Sequence, residues 1–183
     1  MHRLIRERRK AALTNYKRRI ALLKGGSHRV VVRKTNKGII MQIVGYDPKG
    51  DVVLFSANSF ELAKFNWPAR SNMPTAYLTG LLLAKKARAA AKDELVLDIG
   101  LYKPVKSSVI FAAAKGSIDG GLRIKGSIEV DEGRIRGDHI AKYASTLKAG
   151  GANRQFSAYN EKKVDLAGMG RLFDDVKDKI MSV

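Results

Sequence analysis

The chain has 183 residues, 45% of them apolar, and carries 35 Lys or Arg against 17 Asp or Glu, a formal net charge of +18. That length suits one domain with tails and a real core, and the charge calls for a polyanionic partner, either nucleic acid or an anionic membrane surface. Without cysteine there is no disulfide framework and no thiolate metal site, which fits a reducing interior.

The first 37 residues concentrate the charge. Thirteen are Lys or Arg and one, Glu7, is acidic, so two thirds of the net charge sits on a fifth of the chain. Cations this dense repel one another unless a polyanion neutralises them. Leu4 and Ile5 are followed at once by Arg6-Glu7-Arg8-Arg9-Lys10, so the apolar run of a signal peptide does not occur. Apolar streaks such as 81–84 and 109–114 fall far short of a membrane span of ~20 residues. A soluble, cytoplasmic protein with no membrane partner is expected. Residues 1–28 read as a basic arm, 29–149 as an α/β core and 150–183 as a C-terminal extension.

In the arm, Thr14 or Asn15 can cap a helix over 16–24, ended by Gly25-Gly26. Its apolar stripe is only Ile20 and Leu23, too narrow for a membrane-surface helix. Three Val- and Ile-rich strands follow at 29–34, 39–46 and 51–57. They are separated by Thr35-Asn36-Lys37-Gly38 and by Asp47-Pro48-Lys49-Gly50, the second a type I turn with Pro at its second position. The strands are apolar on both sides, which predicts a meander with helices covering part of each face. A short helix capped by Asn58 or Ser59 runs to Phe65, and Pro68 stops it. Pro74 opens a long helix over 73–91, and a buried strand is expected at 94–101. Ser107 should cap a helix from 108 to about 115, stopped by Gly116 and the Gly120-Gly121 pair. Residues 122–130 read as irregular, 139–147 as a helix capped by Asp138, 152–160 as linker-like and 161–183 as a peripheral helix. No internal repeat is present.

Enzymatic chemistry finds little purchase. His2, His28 and His139 are scattered, so a zinc site lacks ligands. The glycine-rich 115–121 follows a helix and lacks Walker spacing, so it reads as a turn. Asp98, in Asp-Ile-Gly on a strand, is the one residue that suggests the alternative function, a metal-dependent nuclease of ribonuclease H-like fold. Two-metal hydrolysis needs several convergent carboxylates. Glu94 shares the Asp98 side of its strand but lies about 13 Å away along it. No cofactor is expected.

RNA binding explains more. Arg offers forked donors to phosphate and a flat face to bases, and tyrosines beside cations supply stacking surfaces. Arg6, Arg8, Arg9, Lys10, Lys17, Arg18 and Arg19 are expected to meet phosphates, with Tyr16 stacking on a base or ribose. Arg29, Arg33, Lys34 and Lys37 should carry the positive surface onto the body. Tyr102, Lys103 and Lys106 should form a second contact.

Five stretches make the chain resemble the L-eighteen family of large-subunit ribosomal proteins, the 5S ribosomal RNA binders, in their archaeal and eukaryotic form. They are YKRRIALL at 16–23, RVVVRKTNK at 29–37, AYLTGLLLA at 76–84, KGSIDGG at 115–121 and RIRGDHIA at 134–141, in the family's order and spacing. The resemblance implies an α/β fold related to the ribonuclease H motif but without its catalytic carboxylates. It implies a place on 5S rRNA in the central protuberance, touching the large-subunit rRNA, beside the L-five family ribosomal protein and other proteins there. Where many relatives read Arg-Glu-Gly-Lys, this chain has Lys10-Ala11-Ala12-Leu13.

Overall fold

The computed structural model describes residues 10, 11, 13–88, 94–146, 156–161 and 164–182. Helix α1 (Tyr16–Leu23) is capped by Asn15, whose side chain accepts from the Arg18 amide at 3.1 Å. The β-branched runs then form β1 (Arg29–Lys34), β2 (Ile39–Gly45) and β3 (Val52–Asn58), an antiparallel meander. In the second connection the Gly50 amide donates to Asp47 O at 3.0 Å, closing a turn about Pro48 and Lys49. A 3-10 helix (Ser59–Phe65) follows, with Asn58 and Glu61 capping each other's backbone amides, and it ends in the left-handed Asn66.

Helix α2 (Met73–Lys86) starts at an Asn72 cap with Pro74 in its first turn. It is shorter than expected. Ala87 and Arg88 leave the α-helix, and residues 89–91 lie outside the described set. Strand β4 (Glu94–Asp98) runs parallel to β1, with Val31 opposite Asp98, and β5 (Arg123–Ile124) runs parallel to β4. The result is a mixed sheet ordered β3-β2-β1-β4-β5. The two-residue β5 falls where irregular chain was expected. A pair this short carries no readable alternation, and only the fold brings it to the β4 edge.

Side-chain alternation divides the sheet. Val30, Val32, Ile39, Met41, Ile43 and Leu95 lose all their exposed surface on one face. Arg29, Val31, Arg33 and Asp98 stand on the other. Helices α2 and α3 (Val109–Asp119) fill the first face and cross where Gly80 meets Gly116. A Cβ at Gly80 would stand 2.0 Å from Ala113 O, and one at Gly116 would stand 2.0 Å from Tyr77 O. The Ser117 hydroxyl donates across the same contact to Gly80 O at 3.2 Å. Gly116 is therefore no helix stop, as its residue type suggested, but the thin point that lets two backbones touch. The cap of α3 is Ser108, while Ser107 takes a positive φ of 53° before it.

Two further corrections concern the C-terminal third. A short helix α4 (Glu132–Arg136), capped by Asp131, precedes α5 (Asp138–Thr146). Residues 152–155 lie outside the described set, but 156–160 are not linker. Ser157–Asn160 form α6, and buried Tyr159 accepts through its hydroxyl from Asn72 Nδ2 at 2.8 Å. Helix α7 (Met169–Ser182) is not peripheral. Met169, Phe173, Val176 and Ile180, spaced on one face, are all buried. The Phe173 ring sits 6.2 Å from the Trp67 ring and 5.6 Å from that of Tyr77. Its charged opposite face made this helix look detachable, yet its apolar stripe completes the core.

Candidate nucleic-acid interface

The polar face of the sheet is organised by one carboxylate. Asp98 ends β4, 7% exposed, and accepts from Arg29 Nη1 at 3.0 Å, Arg33 Nη2 at 3.2 Å and the Gly100 amide at 2.8 Å. Burial on its own would raise the Asp98 pKa, but the Gly100 amide and the Arg33 and Arg29 guanidiniums outweigh it and hold the carboxyl below its ordinary value. Arg33 Nη1 also donates to Asp98 O at 2.9 Å. Gly100 holds a φ of 61°, and a Cβ there would approach Arg33 Cζ to 3.0 Å, so glycine is needed for the clamp.

The clamp extends into the arm. Arg29 Nη2 lies 2.8 Å from Asp51 Oδ2, which also accepts from Arg19 Nη2 at 2.8 Å. Arg18 Nη1 donates to Gly100 O at 3.1 Å and to Tyr102 O at 3.3 Å, and the Tyr102 hydroxyl donates to Lys34 O at 2.7 Å. Helix α1 buries no residue fully, and the Arg18 and Arg19 side chains tie it across this face. Between it and the sheet lies a cleft of about 500 Å³ lined by Tyr16, Arg18, Leu22, Arg33, Leu101 and Tyr102, among others.

The expected contact residues therefore divide. Arg6, Arg8 and Arg9 lie outside the described residues. Arg29, read from sequence as surface charge, is 2% exposed and engaged with two carboxylates. Its strand position carries its side chain into the clamp, away from any phosphate. Arg18, Arg19 and Arg33 are half-buried and hold the arm, the loop and the sheet together. Lys10, Lys17, Lys34, Lys37 and Lys103 are exposed, Tyr102 is 40% exposed and Tyr16 is half-buried. Lys106, also exposed, pairs with Glu129 at 3.1 Å.

The same geometry answers the nuclease alternative. The Asp98 oxygens are taken by the Arg29 and Arg33 guanidiniums and the Gly100 amide, and Glu94 pairs with Lys125 at 3.1 Å. Among the described residues no group of three His, Asp or Glu side chains converges as a metal site.

Sequence reasoning missed one wall of the surface. A second cleft, of about 550 Å³, lies beyond Tyr102, where Lys34, Lys103, Arg134 and His139 meet. Arg134 and His139 come from α4 and α5, and burial followed by the nearby Arg134 charge pushes the His139 pKa down. The signal was present in Arg134-Ile135-Arg136-Gly137-Asp138-His139, but only the fold sets that corner against the loop after β4.

A basic face that holds its own carboxylates in ion pairs and adds exposed lysines beside tyrosine rings has the chemistry of a polyanion-binding protein, and the described residues form no metal-dependent hydrolytic centre. Residues 2–94 match the family described as "Ribosomal large subunit proteins 60S L5, and 50S L18". The "Large ribosomal subunit protein uL18" of Korarchaeum cryptofilum (strain OPF8) is 43% identical over 180 residues, covering 96% of this chain and 92% of that protein. The chain belongs to this L18 family of large-subunit ribosomal proteins, whose role is structural and not enzymatic. Among the described residues no helix is long and apolar enough to cross a membrane.

Proposed function

We propose that this ribosomal protein binds 5S rRNA and anchors it in the central protuberance of the large subunit of cytoplasmic ribosomes, with further contacts to the large-subunit rRNA. An L-five family protein and other central-protuberance proteins are its expected neighbours. The strand order β3-β2-β1-β4-β5 supports reading the sheet as a ribonuclease H-like motif that serves as a binding platform. Residues 1–28 act as the RNA-binding arm and 29–149 as the platform, with 150–183 as an extension whose helix α7 is packed into the core.

The observation that carries this reading is the pattern of unspent charge around Tyr102. Lys17, Lys34, Lys37 and Lys103 are exposed and without an ion pair among the described residues, while buried Arg29 and half-buried Arg33 are neutralised by carboxylates. Cations left free in this way suit phosphates, and an exposed ring between them suits a base or ribose. Arg6, Arg8, Arg9 and Lys10 add phosphate contacts from the arm, and Tyr16 adds a stacking ring. Arg18, Arg19 and Arg33 serve by fixing the arm and loop that present the others.

Equilibrium binding at ~0.15 M salt tests the proposal, because non-specific phosphate binding fades there. The expected result is a 5S rRNA affinity well above that for an unrelated hairpin of equal length. Equal affinities overturn it.

A further inference from the structure

We propose that the second cleft, between the 102–108 loop, the end of β1 and the α4–α5 corner, holds an unpaired nucleotide of ribosomal RNA, with its phosphate among Lys34, Lys103 and Arg134. This rests on the reading of the protein as an rRNA binder and assigns a site to it. The volume of about 550 Å³ lies within the usual range for a small-ligand site. Its lining contains three permanent cations and no carboxylate. None of the three cations has an ion pair among the described residues, although Lys106 and Arg136 close by are paired with Glu129 and Asp174. A cleft that repels cations and leaves three of its own unneutralised is selective for an anion.

The remaining lining fits the other parts of a nucleotide. Met73, Val105, Val109 and Ile110 make an apolar floor, and the Tyr102 ring, fixed by its bond to Lys34 O, forms one wall. A flat base can rest on such a floor only when it is not stacked inside a helix, which selects an unpaired residue over a duplex. The hydroxyls of Ser107 and Ser108 accept from the Asp131 and Phe111 amides at 3.4 Å each. Each keeps its O–H for a phosphate or ribose oxygen.

The test uses the full chain with three probes: a 5S rRNA transcript, a large-subunit rRNA transcript and a blunt RNA duplex. Arg134 is exposed and makes no side-chain hydrogen bond or ion pair among the described residues, so Arg134→Ala should keep the wild-type thermal midpoint. For one of the two rRNAs it should weaken binding and flatten the slope of log affinity against log salt by about 0.7–0.9. Val105→Asp should weaken the same rRNA at least roughly fivefold, because its carboxylate repels the phosphate and the apolar contact with the base is lost. Which transcript responds identifies the source of the nucleotide. Wild-type affinity and slope for both rRNAs in Arg134→Ala overturn the site, and an equal loss on the duplex overturns the unpaired nucleotide. Failure of the wild-type chain to prefer either rRNA over the duplex would instead sink the underlying RNA-binding proposal.

Discussion

Replacing Asp98 by Asn separates the two roles that its sequence suggests. The change keeps shape but removes the charge that neutralises Arg29, which is 2% exposed, and Arg33, whose side chain is 41% exposed. Removing one partner of a fully buried pair costs about 3–5 kcal/mol. Here Arg29 retains Asp51 at 2.8 Å, and solvent screens Arg33, so we expect a loss of roughly 2–4 kcal/mol. Urea unfolding followed by Trp67, the single tryptophan, which is buried against Phe173, measures it. The pH dependence follows from the direction of the shift. The folded-state pKa of Asp98 lies below the unfolded value near 3.8, so its contribution is fully present above that value and is lost as pH falls through the folded pKa. Wild type and Asp98→Asn should therefore differ by a constant amount near neutrality and converge below about pH 4. RNA binding adds a test of sign. If charge alone mattered, one carboxylate fewer would tighten 5S rRNA binding. If Asp98 positions the Arg18-bearing arm and the 100–102 loop, the specific affinity falls. A stability loss under ~1 kcal/mol together with tighter 5S binding would refute the clamp.

Other substitutions probe the core and the arm. Gly116→Ala forces a methyl group to within 2.0 Å of Tyr77 O, so the crossing must open; a loss of at least ~3 kcal/mol is expected by thermal unfolding, and a neutral effect would contradict the backbone contact. Phe173→Ala should cost about 3–5 kcal/mol and shift Trp67 emission, because α7 is core rather than appendage. Deleting residues 1–24 removes nine cations but no buried side chain of α1, and its links to the body are exposed or half-exposed pairs worth about 0–1 kcal/mol each. The thermal midpoint should move by a few degrees at most, while the salt dependence of 5S binding becomes much shallower.

Local chemistry determined much of this protein from its sequence alone. The three strands, their turns, the Asn15 and Asn58 caps and the proline start of α2 follow from β-branching, side-chain oxygens and fixed φ, which act within a few residues. The concentration of charge in the first 37 residues likewise needed no coordinates to call for a polyanion. What only the tertiary structure decided concerns atoms far apart in the chain. Arg29 and Lys34 look alike in RVVVRK, yet the strand turns one toward Asp98 and leaves the other exposed. Gly116 reads as a helix stop until Gly80, 36 residues earlier, is seen pressed against the same turn. Helix α7 reads as detachable because its polar face is highly charged, and its membership of the core rests on Trp67 and Tyr77 lying where Phe173 arrives. The cleft of Lys34, Lys103, Arg134 and His139 is drawn from three separate segments, the end of β1, the loop after β4 and the α4–α5 corner, and no spacing rule connects them. Residue type and near neighbours set element, cap and charge. Whether a charge is neutralised or left free for a phosphate depends on partners that only the closed fold brings within ion-pair distance.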